Sequence, residues 1–510
     1  MNHHALPGMV TAIWIAIILY MCTIVFFVVR GAMKTHSMND FALGSMQFNP
    51  SFLGLSLAAS MSSAATFIIN PGFVAYYGVS GVLSMAVFLP IGTLVSLAIL
   101  SKRFRKYGQT VNAKTIAQWM GIRYQSKGFA LFFGFLSLLM MAFIVMICVG
   151  LTQVVSRSLN LEVLPTLIGV VAFTFTYMMF GGANSMVYTN TVQAFLKIIV
   201  TIILLSSGYD HFAEGVHGFL NKLSAIDPQL ATPFNSSSPL FRDFFEVAIC
   251  QLIVGTAVVC QPHILTRSLL LKNDKDLNRF LTVAIIALAL FFLVVFVGLY
   301  ARLLFPTLSL DGKPIPLDGV MSQFVVSRFP VYIAIVLVLG LISAGMATLE
   351  GLIQSLSTTF TSDIIKPLTG NRIIKHPENG GGIVTELVMN RLVIVLMGVV
   401  AIFISYNQLL APDLSVGIFA QNGVYAYFCG AFVPVLFGIF TKDCPKIAAI
   451  GASLTAVIVH FSVYYGRLTP YMQNGTRNPG VASSIAIVCS LMVGLILYYA
   501  FRNKTNIAKA

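Results

Sequence analysis

The sequence predicts an all-α membrane protein that crosses the bilayer about thirteen times. Of its 510 residues, 57% are hydrophobic and only 9% are charged, a balance that excludes a water-soluble domain of this length. Apolar runs of about 20 residues recur along the chain, the length that a helix needs to cross about 30 Å of hydrocarbon. The predicted spans one to thirteen cover residues 9–29, 52–75, 81–101, 128–155, 161–180, 187–207, 243–266, 280–304, 331–361, 389–409, 416–440, 446–465 and 481–501.

The basic residues indicate how the chain lies in the membrane. The net charge is +14, but its densest cluster falls in the single loop predicted after span three. Because Lys and Arg are enriched in cytoplasmic loops, we expect a multi-pass protein of the cell (plasma or inner) membrane, with its N-terminus outside and its C-terminus in the cytoplasm. No basic face outside the membrane context favours a nucleic-acid partner. The cluster comprises Lys102, Arg103, Arg105, Lys106, Lys114, Arg123 and Lys127.

No pattern in the chain is typical of an enzyme. The sequence contains no Gly-x-Ser-x-Gly elbow, no P-loop and no histidine cluster at metal spacing. No loop is long enough for an independent soluble domain, so we expect residues 1–510 to form one membrane domain in contact with lipid.

One hydrophobic segment carries an interruption. Residues 57–73 read LAASMSSAATFIINPGF, without a charge, with a run of hydroxyl side chains before Asn70-Pro71-Gly72. We expect the helix to break at Asn70-Pro71-Gly72. Irregular backbone at membrane depth is tolerated only where protein or a wet cavity satisfies it, and secondary transporters use such breaks to bind ions and solutes. Free carbonyls and hydroxyls suit a hard monovalent cation. A simple kink and close helix packing are the alternative interpretations.

The same segment, LGLSLAASMSSAATFIINPGFVAYYG, resembles the second transmembrane helix of the sodium:solute symporter family, which includes proline, pantothenate, sugar and iodide carriers. The resemblance continues in LGSMQFNPSFLGLSLAAS upstream, and then in YMMFGGANSMVYTNTVQ, CQPHILTRSLLLKNDKDL and SAGMATLEGLIQSLSTTFTSDIIK. It implies a LeuT-type inverted repeat of five plus five helices. The core would cover residues 50–440 as a monomeric transport unit, and the helices at 9–29, 446–465 and 481–501 would be peripheral.

The resemblance also implies a sodium site between span two and span nine. Its backbone ligands would be the carbonyls of Ala59, Ser62 and Ala344. Its side-chain ligands would fall at Ala347 and Thr348, which share a helix face with residue 344.

Three positions depart from the family in ways that weaken the expectation of sodium coupling. Ala347 stands where many relatives carry a hydroxyl, and Asn190 stands where relatives commonly show an aspartate. Met61 occupies a position that is aspartate in proline carriers, which argues against proline as the solute. Each departure removes an oxygen ligand or a negative charge.

Glu350 is the acid predicted to lie deepest in a span. A charge at the centre of the bilayer costs about 2.5–3.5 kcal/mol or more unless it is paired or hydrated, so such an acid is by default a functional candidate. Glu350 is therefore a candidate proton carrier or solute contact, and a hydrogen-bonded packing residue is the alternative.

Other polar residues are candidates for binding the solute or for gating. Thr66 and Asn70 belong to the broken segment, Gln261 and His263 lie near the inner end of span seven, and Gln421 with Asn422 forms a polar pair in span eleven. For span seven and span eleven, interhelical hydrogen bonding is the alternative role.

These observations together predict a secondary active symporter that imports a small organic solute with the sodium gradient. The outer-loop segment AIDPQLATP resembles the pantothenate carriers, so we expect an organic acid as the solute. The alternatives are a proton-coupled symporter that uses Glu350 and a transporter-like sensor or channel. The residues after Phe501 contain no signalling domain that would favour a sensor, and the sequence contains no filter motif that would favour a channel.

Overall fold

The computed structural model describes residues 7–45, 47–111, 113–271, 273–310, 312–370, 373–374, 383–410, 415–473 and 477–507. In this part of the chain, ten continuous helices are long and apolar enough to cross a membrane, and two bent helix pairs add two further crossings. The continuous helices are Val10–Ala32, Val79–Lys106, Lys127–Leu159, Val163–Phe212, Asp274–Leu304, Val331–Thr369, Glu386–Leu410, Val416–Phe440, Lys446–Gly466 and Pro479–Arg502.

The longest helix contains spans five and six. Val163–Ser206 is 44 residues long, which at 1.5 Å per residue is about 66 Å, twice the hydrocarbon thickness. Within it Gly182 has φ 58° and ψ −158°, a conformation outside the helical region that only glycine adopts readily. The two halves on either side of Gly182 are therefore the fifth and sixth predicted spans, as the sequence indicates.

Span two is broken, but upstream of the predicted position. It consists of Pro50–Met61 and Ala65–Tyr77, which meet at a bend of 56°. The expectation of a break at Asn70-Pro71-Gly72 is wrong, because Asn70–Tyr77 is α-helical. Ala65–Ile69 forms a π-helical turn, so Pro71 lies in the first turn of the α-helix that follows, where a missing N–H costs least.

Gly72 has a packing role instead. A methyl group at this position would collide with the carbonyl oxygen of Leu317. The outer half of span two therefore packs directly against the backbone of the loop between spans eight and nine. The Tyr76 hydroxyl donates a hydrogen bond of 2.7 Å to the Ile315 carbonyl of that loop, and the two contacts fix this half-helix.

Span seven is broken in the same way. Phe245–Val258 and Pro262–Leu270 meet at a bend of 59°, close to the 56° of span two. Pro262 begins the second segment, a position at which its fixed φ suits a helix start. Spans two and seven are the first helices of the two predicted repeats, so equivalent breaks in both are what an inverted repeat of five helices requires.

Short elements connect the spans. An antiparallel pair of two-residue strands, Ser309–Leu310 and Lys313–Pro314, lies between spans eight and nine. The other connecting elements are the helices Met38–Leu43, Ile116–Arg123, Gly215–Ile226 and Val320–Arg328 and the single turns Pro228–Ala231, Leu317–Gly319 and Pro470–Met472.

Candidate functional site

The break in span two directs free backbone carbonyls to one point. Residues 62–64 join the two half-helices, and the last carbonyls of Pro50–Met61 have no partner further along the helix. The Ala59 and Ser62 carbonyls lie 2.6 Å from the same nitrogen, the ammonium Nζ of Lys197 in span six. The Ala344 carbonyl of span nine lies 3.4 Å from it. The three carbonyls assigned to sodium by resemblance therefore surround a lysine.

Lys197 is fully buried at this point. Its Nζ also contacts the Ser62 hydroxyl oxygen at 3.3 Å and lies 5.7 Å from the centre of the Phe67 ring, within the range of a cation–π contact. An ammonium has three N–H donors and no acceptor, so carbonyls and a hydroxyl are the partners it needs. Among the described residues, oxygens and a ring hold the charge, and no carboxylate forms a direct ion pair with it.

The two predicted side-chain ligands do not bind the ammonium. Ala347 is buried and packs with Ala59 and Ala194, so it brings a methyl group to the position where the family resemblance implies a hydroxyl. The Thr348 hydroxyl donates a hydrogen bond of 2.7 Å to the Ser60 carbonyl. Thr348 therefore ties span nine to the end of the first half-helix of span two.

Glu350 lies apart from this point, between spans nine, five and six. Its carboxylate accepts hydrogen bonds from the Tyr177 hydroxyl at 2.6 Å, the Thr189 hydroxyl at 2.5 Å and the Gln193 amide at 3.0 Å. Gln193 also donates to the Tyr20 hydroxyl of span one. A carboxylate that receives three donors is well satisfied as an ion, and this arrangement supports the packing alternative for Glu350.

A central cavity of about 120 Å³ lies between the two broken helices. It brings together five of the predicted solute or gating residues. The lining includes Thr66, Asn70, Gln261, His263 and Gln421, together with Gln251, Thr93, Tyr425, Phe143, Met61 and other apolar side chains. A small number of polar groups in a mostly apolar cavity is typical of a solute site.

Two buried polar atoms at the break of span seven have no partner among the described residues. These are the Gln261 carbonyl oxygen Oε1 and the His263 ring nitrogen Nδ1. Both residues are almost fully buried. Buried polar atoms are almost always hydrogen-bonded, so unpaired ones that border a cavity indicate a ligand or water.

Two of the candidates fall outside this cavity. Neither Glu350 nor Asn422 belongs to its lining. The Asn422 amide donates to the Tyr465 hydroxyl at 3.0 Å, and its side-chain oxygen lies 3.1 Å from the His460 ring. Asn422 therefore joins span eleven to span twelve, as the interhelical alternative holds, while its neighbour Gln421 faces the cavity.

A larger groove of about 440 Å³ lies elsewhere, against span one. Its lining is almost entirely apolar and includes Trp14, Ile17, Val170 and Phe173. In a membrane protein such a surface suits acyl chains, so we do not assign the groove to the transported solute.

Sequence reasoning missed Lys197. The residue lies inside a span, and a lysine within a membrane segment is a functional candidate by default, so the signal was present. Its partners are 135 to 147 positions away in the chain, and only the fold brings them together.

Known proteins resemble this chain in sequence and in fold. The sequence pattern of the sodium:solute symporter family matches residues 41–459. The chain is 26% identical to the sodium/pantothenate symporter of Haemophilus influenzae, over 84% of each chain, and 26% identical to that of Escherichia coli, over 90% of each.

A solved structure shares the fold. A sodium-coupled sialic acid symporter, in its substrate-bound outward-open state, superimposes with a TM-score of 0.70 at 16% identity and covers 95% of this chain and 98% of its own. The predicted polytopic all-α fold of the LeuT type is confirmed by this similarity. The family is one of secondary active transporters that couple the uptake of organic solutes to sodium, and the chain belongs to this sodium:solute symporter family.

Proposed function

We propose that this protein imports a small organic acid, bound in the central cavity, by symport with the sodium gradient. The observation that carries the proposal is the pair of unpaired buried atoms, Gln261 Oε1 and His263 Nδ1, at the edge of a cavity lined by both broken helices. They offer directional hydrogen bonds where alternating access would expose a bound solute.

The choice of an organic acid has two supports. The relatives at 26% identity carry pantothenate, and the polar lining of the cavity contains amide and hydroxyl donors that suit a carboxylate, from Thr66, Asn70, Gln261 and Gln421. No charged side chain belongs to the described lining, so the carboxylate would be bound by neutral donors.

The driving force is sufficient for accumulation. An inward cation gains about 2.3 kcal/mol per 100 mV of membrane potential, and a tenfold concentration gradient adds about 1.4 kcal/mol. One cation then supports a solute ratio of several hundred. The proton-coupled alternative through Glu350 has less support, because that carboxylate is held by three side chains outside the cavity.

The proposal includes the orientation and the assembly. We place the basic cluster of residues 102–127 on the cytoplasmic side, which puts the N-terminus outside. Alternating access would then expose the cavity between the two breaks to each side of the membrane in turn. One chain contains both broken helices and the whole cavity lining, so the transport unit is a monomer.

The experiment is uptake into proteoliposomes that contain the purified full-length protein. Radiolabelled pantothenate, short monocarboxylates, amino acids and sugars are tested under imposed sodium and pH gradients. We expect one of the organic acids to accumulate when sodium is high outside. If none of the acids accumulates under any gradient, or if only sugars or amino acids do, the proposal is wrong.

A further inference from the structure

Lys197 lies where a coupling ion would bind. The Ala59, Ser62 and Ala344 carbonyls contact its ammonium at 2.6, 2.6 and 3.4 Å. A free cation at the same point would need the same oxygens. An ammonium and a sodium ion are both single positive charges that bind to carbonyl oxygens. The carbonyl site therefore has space for one of them and needs the charge of only one.

Two neighbouring positions suit a lysine better than a metal ion. Ala347 packs its methyl group against Ala59 and Ala194 beside the site and offers no oxygen. Asn190 lies two helical turns before Lys197, on the same face of span six, and has a neutral side chain. Ala347 supplies no side-chain oxygen and Asn190 no negative charge, so neither position favours a small free cation over the ammonium.

We propose that Lys197 is a tethered cation that occupies the coupling-ion site, so that its ammonium and a sodium ion exclude each other there. Sodium then enters only after the ammonium has withdrawn from the carbonyls of Ala59, Ser62 and Ala344. This inference rests on the proposed function and deepens it by naming the side chain that competes with the ion for its site.

The helices around Lys197 carry other charged and titratable groups. Span nine contributes Glu350, which interacts electrostatically with Lys197, and the inner half of span seven contributes Arg267 and His263. Tyr20 of span one and Tyr177 of span five adjoin Glu350. The segment Pro50–Met61, which supplies the Ala59 carbonyl, has no charged residue. Lys197 is thus the group of this set whose nitrogen touches the carbonyls.

The test measures binding of ²²Na⁺ to the purified full-length protein, so it requires no knowledge of the solute. The variants are Lys197→Ala, which opens the site, Lys197→Arg, which keeps a positive charge, and Lys197→Ala with Ala347→Ser, which adds an oxygen ligand. We expect the wild type at neutral pH to bind sodium at least about tenfold more weakly than Lys197→Ala. Lys197→Arg should resemble the wild type, and the double variant should bind most tightly.

Two control variants separate the Lys197 ammonium from the other buried polar groups near it. Glu350→Gln keeps the ammonium on the carbonyls and should bind sodium as weakly as the wild type does. Thr201→Val, a change one turn further along the same face of span six, is the matched control for altering a buried polar residue.

Two results would overturn the inference. One is a wild type that binds sodium as tightly as Lys197→Ala does. The other is a gain in sodium affinity in Glu350→Gln or Thr201→Val that equals the gain in Lys197→Ala. Neither result depends on uptake, so the proposed function can fail in the proteoliposome assay while this inference stands, and the reverse also holds.

Discussion

The two broken helices bend by nearly the same angle. They differ in whether the polar groups at the break have partners among the described residues. At the break of span two the free carbonyls of Ala59 and Ser62 are occupied by the Lys197 ammonium. At the break of span seven, Gln261 and His263 present unpaired atoms beside the cavity. The protein itself fills one break and leaves the other open. On our proposals, the break of span seven binds a ligand from outside, and the ion site at the break of span two is controlled by a side chain of the protein itself.

The largest effect should come from Glu350, the buried acid that interacts electrostatically with Lys197 at the break of span two. Glu350→Leu removes the acceptor that three buried donors share and leaves the Lys197 charge without its electrostatic partner. Removing one member of a buried charged group typically costs about 3–5 kcal/mol. Thermal unfolding in detergent should show this loss. Glu350→Gln should lose less, because its amide oxygen still accepts a hydrogen bond, and equal losses in both variants would show that the charge is irrelevant.

The second largest effect should come from the break of span seven, where Gln261 borders the cavity. Gln261→Leu removes the polar atoms that face the cavity while keeping the approximate size of the side chain. We expect the specificity constant for uptake to fall about 10- to 100-fold, which corresponds to a lost hydrogen bond of about 1–3 kcal/mol. Gln153→Leu is the matched control, since Gln153 also has an unpaired carbonyl oxygen but lies outside the cavity lining. Equal losses in the two variants would contradict a role for Gln261 in binding.

A smaller effect should come from the hydrogen bond that joins span nine to the break of span two. Thr348→Ala removes the hydrogen bond to the Ser60 carbonyl, which should cost about 1 kcal/mol of stability. In the Lys197→Ala background the same change should also weaken sodium binding, because the hydroxyl is the remaining side-chain oxygen that the family resemblance assigns to the ion. Thr348→Ser should keep both properties. A sodium affinity that Thr348→Ala leaves intact would remove Thr348 from the site.

The smallest effect lies in the loop that packs on the outer half of span two. Asp318 accepts hydrogen bonds from the Ser415 hydroxyl at 2.7 Å and the Val416 amide at 3.1 Å, and burial raises the pKa of its carboxyl despite these bonds. The folded state therefore holds the proton more tightly, so this group stabilises the fold below pH 3.8 and loses that contribution as the pH rises through its raised pKa. Asp318→Asn should remove this part of the pH dependence of thermal stability. An unchanged profile would show that folding does not raise the pKa of this carboxyl.

The sequence predicts the helices well because crossing the bilayer imposes a length and an apolar composition. The sequence does not predict where span two breaks. The break lies at Ser62-Ser63-Ala64, which contains neither Pro nor Gly, whereas Asn70-Pro71-Gly72 contains both. Resemblance supplies the carbonyl positions, but pairing with Lys197 depends on contacts across more than 130 positions. Gln421 and Asn422 look equivalent in sequence, and only the rotation of span eleven separates the cavity side from the side facing span twelve.

The tether on Lys197 also has a consequence for the environment in which the protein can work. A free ion leaves its site when the medium is diluted, whereas a group on a short covalent stem keeps a fixed effective concentration. The carbonyls of Ala59 and Ser62 therefore keep a positive partner in a medium without sodium, and the half-helix that ends there keeps its hydrogen bonds. We expect the folded protein in detergent to be as stable in a potassium or choline buffer as in a sodium buffer.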